Sequence, residues 1–243
     1  MRFGNCRLCL KDKELIHSHV LPEFFYVPTY DDTHRFISVS SHPQQKTKLF
    51  EKGLREYLLC KGCEEQFNRY ETYSANTLRM AGEYRKPNSN VIEIPNFDYP
   101  YFKLFGLSLI WRCHISTLHM FSAVNLGIHA ERIRVMLASE NPGKPSDYCF
   151  IVVKIEADEH ANTVIIAPGK SRFQGHVAYI LMAYGFEWIF VISSHADKLP
   201  NDYPFVGMKP ELVLLIEAWS EQRFLQEMRK RMHTLIEKDK RAT

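Results

Sequence analysis

The chain has 243 residues, of which 45% are hydrophobic and 13% aromatic, enough apolar matter for a real core and enough to exclude global disorder. The formal net charge of +3 identifies no partner by itself: residues 1–90 hold 14 Lys and Arg against 11 Asp and Glu, and the remainder is balanced at 17 of each. Apolar runs such as Ile189–Ile192 and Leu212–Ile216 are too short to span a bilayer. The charged start MRFGNCRLCLKDKE has no apolar signal core, so the sequence predicts a cytoplasmic protein with no membrane partner.

In chain order, the first informative element is the couplet Cys6-Arg7-Leu8-Cys9, matched later by Cys60-Lys61-Gly62-Cys63. Each couplet presents two thiolates from one tight turn, which is half of a tetrahedral zinc site. A single couplet of this spacing also serves redox chemistry. Two of them in a chain with only two other cysteines point to structural zinc held by Cys6, Cys9, Cys60 and Cys63, with a disulfide pair as the competing reading. Cys113 and Cys149 stand in apolar surroundings and read as small buried hydrophobes.

Residues 1–26 read as a zinc knuckle, a short turn and the segment Leu15–Tyr26. Residues 27–53, polar and carrying Pro28, Asp31, Asp32, Pro43 and Gly53, read as an irregular loop. A helix is expected over Glu64–Tyr84, because Phe67, Tyr70, Ser74, Leu78 and Ala81 fall at helical spacing on one face. Lys86-Pro87-Asn88-Ser89-Asn90 reads as a linker.

Beyond it, Tyr101–Leu126 predicts a largely buried helix and Glu131–Ser139 a short one before Asn141-Pro142-Gly143. Strands are expected over Tyr148–Glu156, Thr163–Ala167, Val177–Met182 and Glu187–Ser193, the last two joined by a hairpin turn at Ala183–Phe186. Leu212–Lys240 reads as a closing helix whose basic end, residues 229–241, is a solvated face or a contact for an acidic partner. The organisation is thus α+β: a zinc-binding unit over residues 1–86 and a mixed unit of antiparallel strands flanked by helices over residues 91–243, the latter suited to recognition or oligomerisation.

The first couplet, then Ser18-His19-Val20-Leu21-Pro22, then Leu59-Cys60-Lys61-Gly62-Cys63-Glu64 resembles the HNH nuclease superfamily over about residues 4–84. The resemblance implies a ββα-metal finger on a treble-clef-like zinc frame, and metal-dependent hydrolysis of nucleic-acid phosphodiesters, DNA foremost. It implies His19 as the general base, whose imidazole titrates near operating pH. It also implies a separate Mg2+ or Mn2+, and a place in bacterial defence against phage beside a protein partner or a second copy of the chain.

Three positions depart from the family pattern. Ser18 stands where an acidic residue is usual, residues 53–59 contain no asparagine, and Glu64 follows Cys63 in place of His or Asn. Glu64 remains an oxygen ligand, Glu71 lies near the same helix face, and Arg55 is placed to position phosphate in the asparagine's stead. Each candidate has a plainer reading: His19 as a residue packed or hydrogen-bonded within the finger, Glu64 as a first-turn acid favoured by the helix dipole, Glu71 as a solvated or salt-bridged surface residue. His17, two residues before His19, competes for the base or metal role. A zinc module that binds nucleic acid or protein without catalysis is the alternative function.

Overall fold

The structure is a computed structural model describing residues 2–38, 48–88, 90–156, 161–193, 199 and 203–218. Three sheets and four α-helices make up its regular part among these residues. The first sheet has β1 (Arg2–Asn5), β2 (Asp12–His19) and β5 (Arg55–Cys60), with β2 central and all pairs antiparallel. Between β2 and β5 come the one-turn helix α1 (Glu23–Tyr26) and a small hairpin, β3 (Arg35–Ser38) with β4 (Lys48–Glu51). The stretch read as an irregular loop is therefore partly ordered. Phe36 and Phe50 stack across that hairpin, and Phe36 packs on Tyr26, which gives the polar segment an apolar anchor.

Helix α2 (Lys61–Arg79) starts directly after β5 with Cys60 as its N-cap. The expected face is buried: Phe67, Tyr70, Ser74 and Leu78 lie inside, and Ala81 follows in a 3-10 turn. Helix α3 (Tyr99–Ile115) is capped by Asp98, whose side chain accepts the Tyr101 N–H at 3.0 Å. Every residue from Phe102 to Cys113 is buried, including Lys103 and Arg112, so α3 is buried all round and is the central rod of the molecule. The short helix α4 (His129–Ala138) packs beside it.

The second sheet has seven strands in the order β6 (Arg85–Asn88), β7 (Val91–Ile94), β12 (Leu212–Ala218), β8 (Phe150–Glu156), β11 (Phe186–Val191), β10 (His176–Ala183) and β9 (Ile166–Phe173). Every neighbouring pair is antiparallel except β12 with β8. The turn between β10 and β11 is Tyr184-Gly185 with φ of +57° and +75°, the two left-handed positions a tight hairpin with the native strand twist requires. One face receives α3: Phe102 stacks on Trp188 at 5.9 Å, and Phe105 meets the same indole edge-on at 5.6 Å. The other face carries a second apolar cluster that includes Ile151, Val153, Ile155, Val191 and Phe205.

Several expectations need correction. The helix expected over Tyr101–Leu126 ends at Ile115, and a 3-10 turn follows at His119–Phe121. Within the stretch 86–90 read as a linker, Lys86, Pro87 and Asn88 belong instead to strand β6, and Asn90 leads into β7, so the Pro and Asn content marks a hairpin that joins the large sheet. Leu212–Lys240 does not begin as a helix: Leu212–Ala218 is strand β12, lodged between β7 and β8 and buried through Leu214. Residues 219–240 and the basic stretch 229–241 lie outside the described residues. Thr163–Ala167 meets its strand only at the end, since β9 starts at Ile166. One core runs through both halves of the chain, from Cys6, Leu59 and Phe67 to Phe105, Trp111 and Trp188. No helix among the described residues is long and apolar enough to cross a membrane.

Candidate metal centre and adjoining polar cavity

The two couplets meet because β2 sits between β1 and β5. The turn after β1 carries Cys6 and Cys9, and the β5–α2 junction carries Cys60 and Cys63. Four Sγ atoms lie within 4.8 Å of one another, with Cys9 and Cys60 at 4.0 Å, and all six cysteines are free thiols. A tetrahedron of sulfurs ~2.3 Å from zinc has sulfur–sulfur edges of about 3.8 Å, so this donor set fits the ion. The Cys60 N–H donates to Cys6 Sγ at 3.3 Å, and the first turn of α2 turns its positive end to the second couplet.

The thiols differ in acidity. Burial pushes Cys63 and Cys6 up. Burial acts on Cys9 too, but hydrogen bonding from the Lys11 N–H and from the neighbouring thiols outweighs it and brings that thiol down to about 7. Four sulfurs at this spacing share protons unequally, and a divalent ion is what lets all four be thiolates together. From the other half of the molecule, the Arg134 guanidinium donates to the Leu8 carbonyl at 2.6 Å and braces the first knuckle.

One side of the same framework opens into a cavity of about 380 Å³ lined by Ile16, His19, Glu23, Lys61, Glu64, Glu65, Asn68 and Glu71. His19 ends β2 opposite Arg55 of β5, downstream of a bulge between Ile16 and His17. Arg55 Nε donates to His19 Nε2 at 2.9 Å, the Lys52 carbonyl lies 3.1 Å from that nitrogen, and the Glu23 carboxylate touches it. Gly53, at φ +70°, lets the chain pass close by: a Cβ there would stand 2.9 Å from the imidazole Cδ2. Burial lowers the His19 pKa, Glu23 opposes this and Arg55 adds to the lowering.

Glu64, in the first turn of α2, has an Oε2 that is buried and without a hydrogen-bond partner among the described residues. Glu71, two turns on, is held by Arg112 of α3 at 2.7 Å. Its side chain is 18% exposed, so the salt bridge of the plainer reading is present but the carboxylate is largely buried rather than at the surface. Burial raises its pKa against the pull of Arg112. Arg112 is itself fully buried. It also donates to the His19 carbonyl at 3.2 Å, donates to Ser108, and lies 5.4 Å over the Phe67 ring.

Of the residues expected at the site, His19, Glu64 and Glu71 line one cavity and Arg55 contacts His19, so the four are neighbours. They do not form a second metal cluster: among the described residues, only the four cysteines bring three or more donor atoms within 4.8 Å. His17 lies apart from the cavity and stacks on Tyr57 at 4.8 Å. Sequence reasoning missed Glu23 and Arg112. A lone arginine inside the apolar run Leu109-Ile110-Trp111-Arg112-Cys113 was the available signal, since buried guanidinium demands a partner. Comparison with protein-family models, with curated proteins and with solved structures gives no match for this chain.

Proposed function

We propose that the chain is an HNH-type endonuclease that hydrolyses nucleic-acid phosphodiesters, DNA foremost, on a zinc-stabilised ββα frame. The observation that carries this reading is the order β2–β5–α2, with His19 at the end of its strand facing a helix that begins at the second cysteine couplet. Zinc fits the four thiols and is structural: its place is to lock β1, β5 and the start of α2 together.

In the reaction, His19 takes a proton from the water that attacks phosphorus, the phosphorus–oxygen ester bond breaks, and the leaving oxygen takes up a proton from solvent. Its Nε2 is engaged in the resting arrangement by Arg55, the Lys52 carbonyl and the Glu23 carboxylate. A phosphate arriving at Arg55 competes for the guanidinium, binds it by charge-assisted hydrogen bonds and releases the imidazole to act. Arg112 stays with Glu71 and the His19 carbonyl and holds both in place. Magnesium or manganese, which the HNH resemblance implies, does not find a gathered set of donors in this arrangement.

The test is plasmid and oligonucleotide cleavage, with manganese and with magnesium, by wild type and His19→Ala. Cleavage by the wild type, reduced ~10²–10⁴-fold in His19→Ala with the zinc content unchanged, supports the reading. Cleavage by neither protein overturns it. The competing function, a non-catalytic zinc module for nucleic acid or protein, rests on one observation: His19 and Glu71 are both tied to arginines in the resting structure.

A further inference from the structure

On the first sheet, away from the thiols, three side chains form an exposed stack. His17 and Tyr57, directly paired across β2 and β5, have ring centroids 4.8 Å apart and planes at 23°. The Arg2 guanidinium lies 5.1 Å from the centre of the Tyr57 ring. Arg2 and His17 are exposed, and Tyr57 is 41% exposed. Next to the stack lies a second cavity, of about 310 Å³, lined by His17, Phe50, Lys52, Gly53, Arg55 and neighbours. Arg55 links it to the first cavity, since its guanidinium contacts His19.

We propose that this face is a binding site for single-stranded nucleic acid: a base adds to the Arg2–Tyr57–His17 stack, and the backbone runs past Lys52 and Arg55 toward His19. The inference rests on the nuclease reading for the direction of the strand and deepens it by naming the substrate class. Aromatic rings take any base through its π-face, and a guanidinium adds a cation–π contribution without sequence preference. Lys52 is exposed and supplies backbone charge beside the rings, the pairing of stack and cation that unpaired strands use. In a duplex the base faces are occupied by their neighbours, so the stack has nothing to add to.

The experiment is fluorescence anisotropy with a labelled single-stranded oligonucleotide and with its duplex. It is run without added magnesium or manganese, on wild type, Tyr57→Ala, Tyr57→Phe and Lys52→Gln. The expected result is a preference for the single strand. Tyr57→Ala weakens it about 5- to 150-fold, Tyr57→Phe retains it, and Lys52→Gln flattens the log–log salt dependence by about 0.7. Unchanged single-strand affinity in Tyr57→Ala overturns the inference, and so does an equal loss for duplex and single strand. Binding that depends on Tyr57 in a protein that never cuts keeps this inference and removes the nuclease reading. Duplex cleavage at wild-type rate by Tyr57→Ala does the reverse.

Discussion

The thiol cluster and the polar cavity share one framework, β2, β5 and α2, yet they are built on opposite plans. The cluster takes all four donors from two short local motifs and draws them within 4.8 Å of one another. The cavity takes His19 from the end of a strand, Glu64 and Glu71 from a helix, and its organising cation, Arg112, from α3 far along the chain. A site made of local couplets needs little from the remainder of the fold. A site made of single residues depends on everything that brings α3 against α2.

The sharpest way to break this comparison is at the metal. Purified protein is expected to carry one zinc per chain by elemental analysis. Cys60→Ala should lose the metal and the cooperative unfolding of the β1–β2–β5 sheet, because structural zinc in small sites contributes on the order of 10 kcal/mol to folding. A wild type without zinc, together with an unchanged thermal transition in that variant, would mean that the thiols are packing residues only.

Arg112→Met is the corresponding cut at the cavity and should cost about 3–5 kcal/mol in urea denaturation, since it strands the Glu71 carboxylate in a largely buried position. The sign of its pH dependence is fixed. Without the guanidinium, Glu71 is raised further above its ordinary pKa, so the folded state holds the proton more tightly than the unfolded chain. The loss relative to wild type should therefore be larger at pH 7 than at pH 5. A variant with unaltered stability at both pH values would show that the ion pair does not organise the site.

What could be read from sequence follows the same division. The couplets, the buried face of α2 and the Tyr184-Gly185 turn are local patterns, and local chemistry dictates them. Strand β12 is not such a pattern. Leu212-Val213-Leu214 is buried without alternation because the strand lies inside the sheet, and a short apolar run of that kind reads equally as helix. Pro87, Asn88 and Asn90 do mark a turn, but nothing local says that its two arms join a sheet completed more than 100 residues later. Glu71 looked like a surface acid for the same reason: its partner is 41 positions away.

Lys103, the other buried cation of α3, sharpens the contrast with the smallest expected effect. It is fully buried like Arg112, but its Nζ donates only to the Tyr148 carbonyl at 2.9 Å, with the Phe150 ring 5.3 Å away. Among the described residues no carboxylate touches it in the way Glu71 touches Arg112, and burial, opposed by Cys149 and Asp147, brings its pKa from the ordinary 10.5 down to about 8. The unfolded chain thus holds this proton up to about pH 10.5, while the folded state releases it from about pH 8, so the lysine makes stability rise with pH across that window. A shift of this size corresponds to about 3 kcal/mol between the ends of the window. In Lys103→Met that rise disappears, and urea denaturation of the two proteins at pH 7 and pH 10.5 should show it: the variant compares with wild type more favourably at pH 7, by about that amount. Arg112→Met should lose stability at pH 7 and Lys103→Met should not, because a buried charge stabilises this fold only where it holds an opposite one. Equal losses in both variants would mean that α3 needs its two long side chains for packing alone, and the cavity would lose its claim to be an organised site.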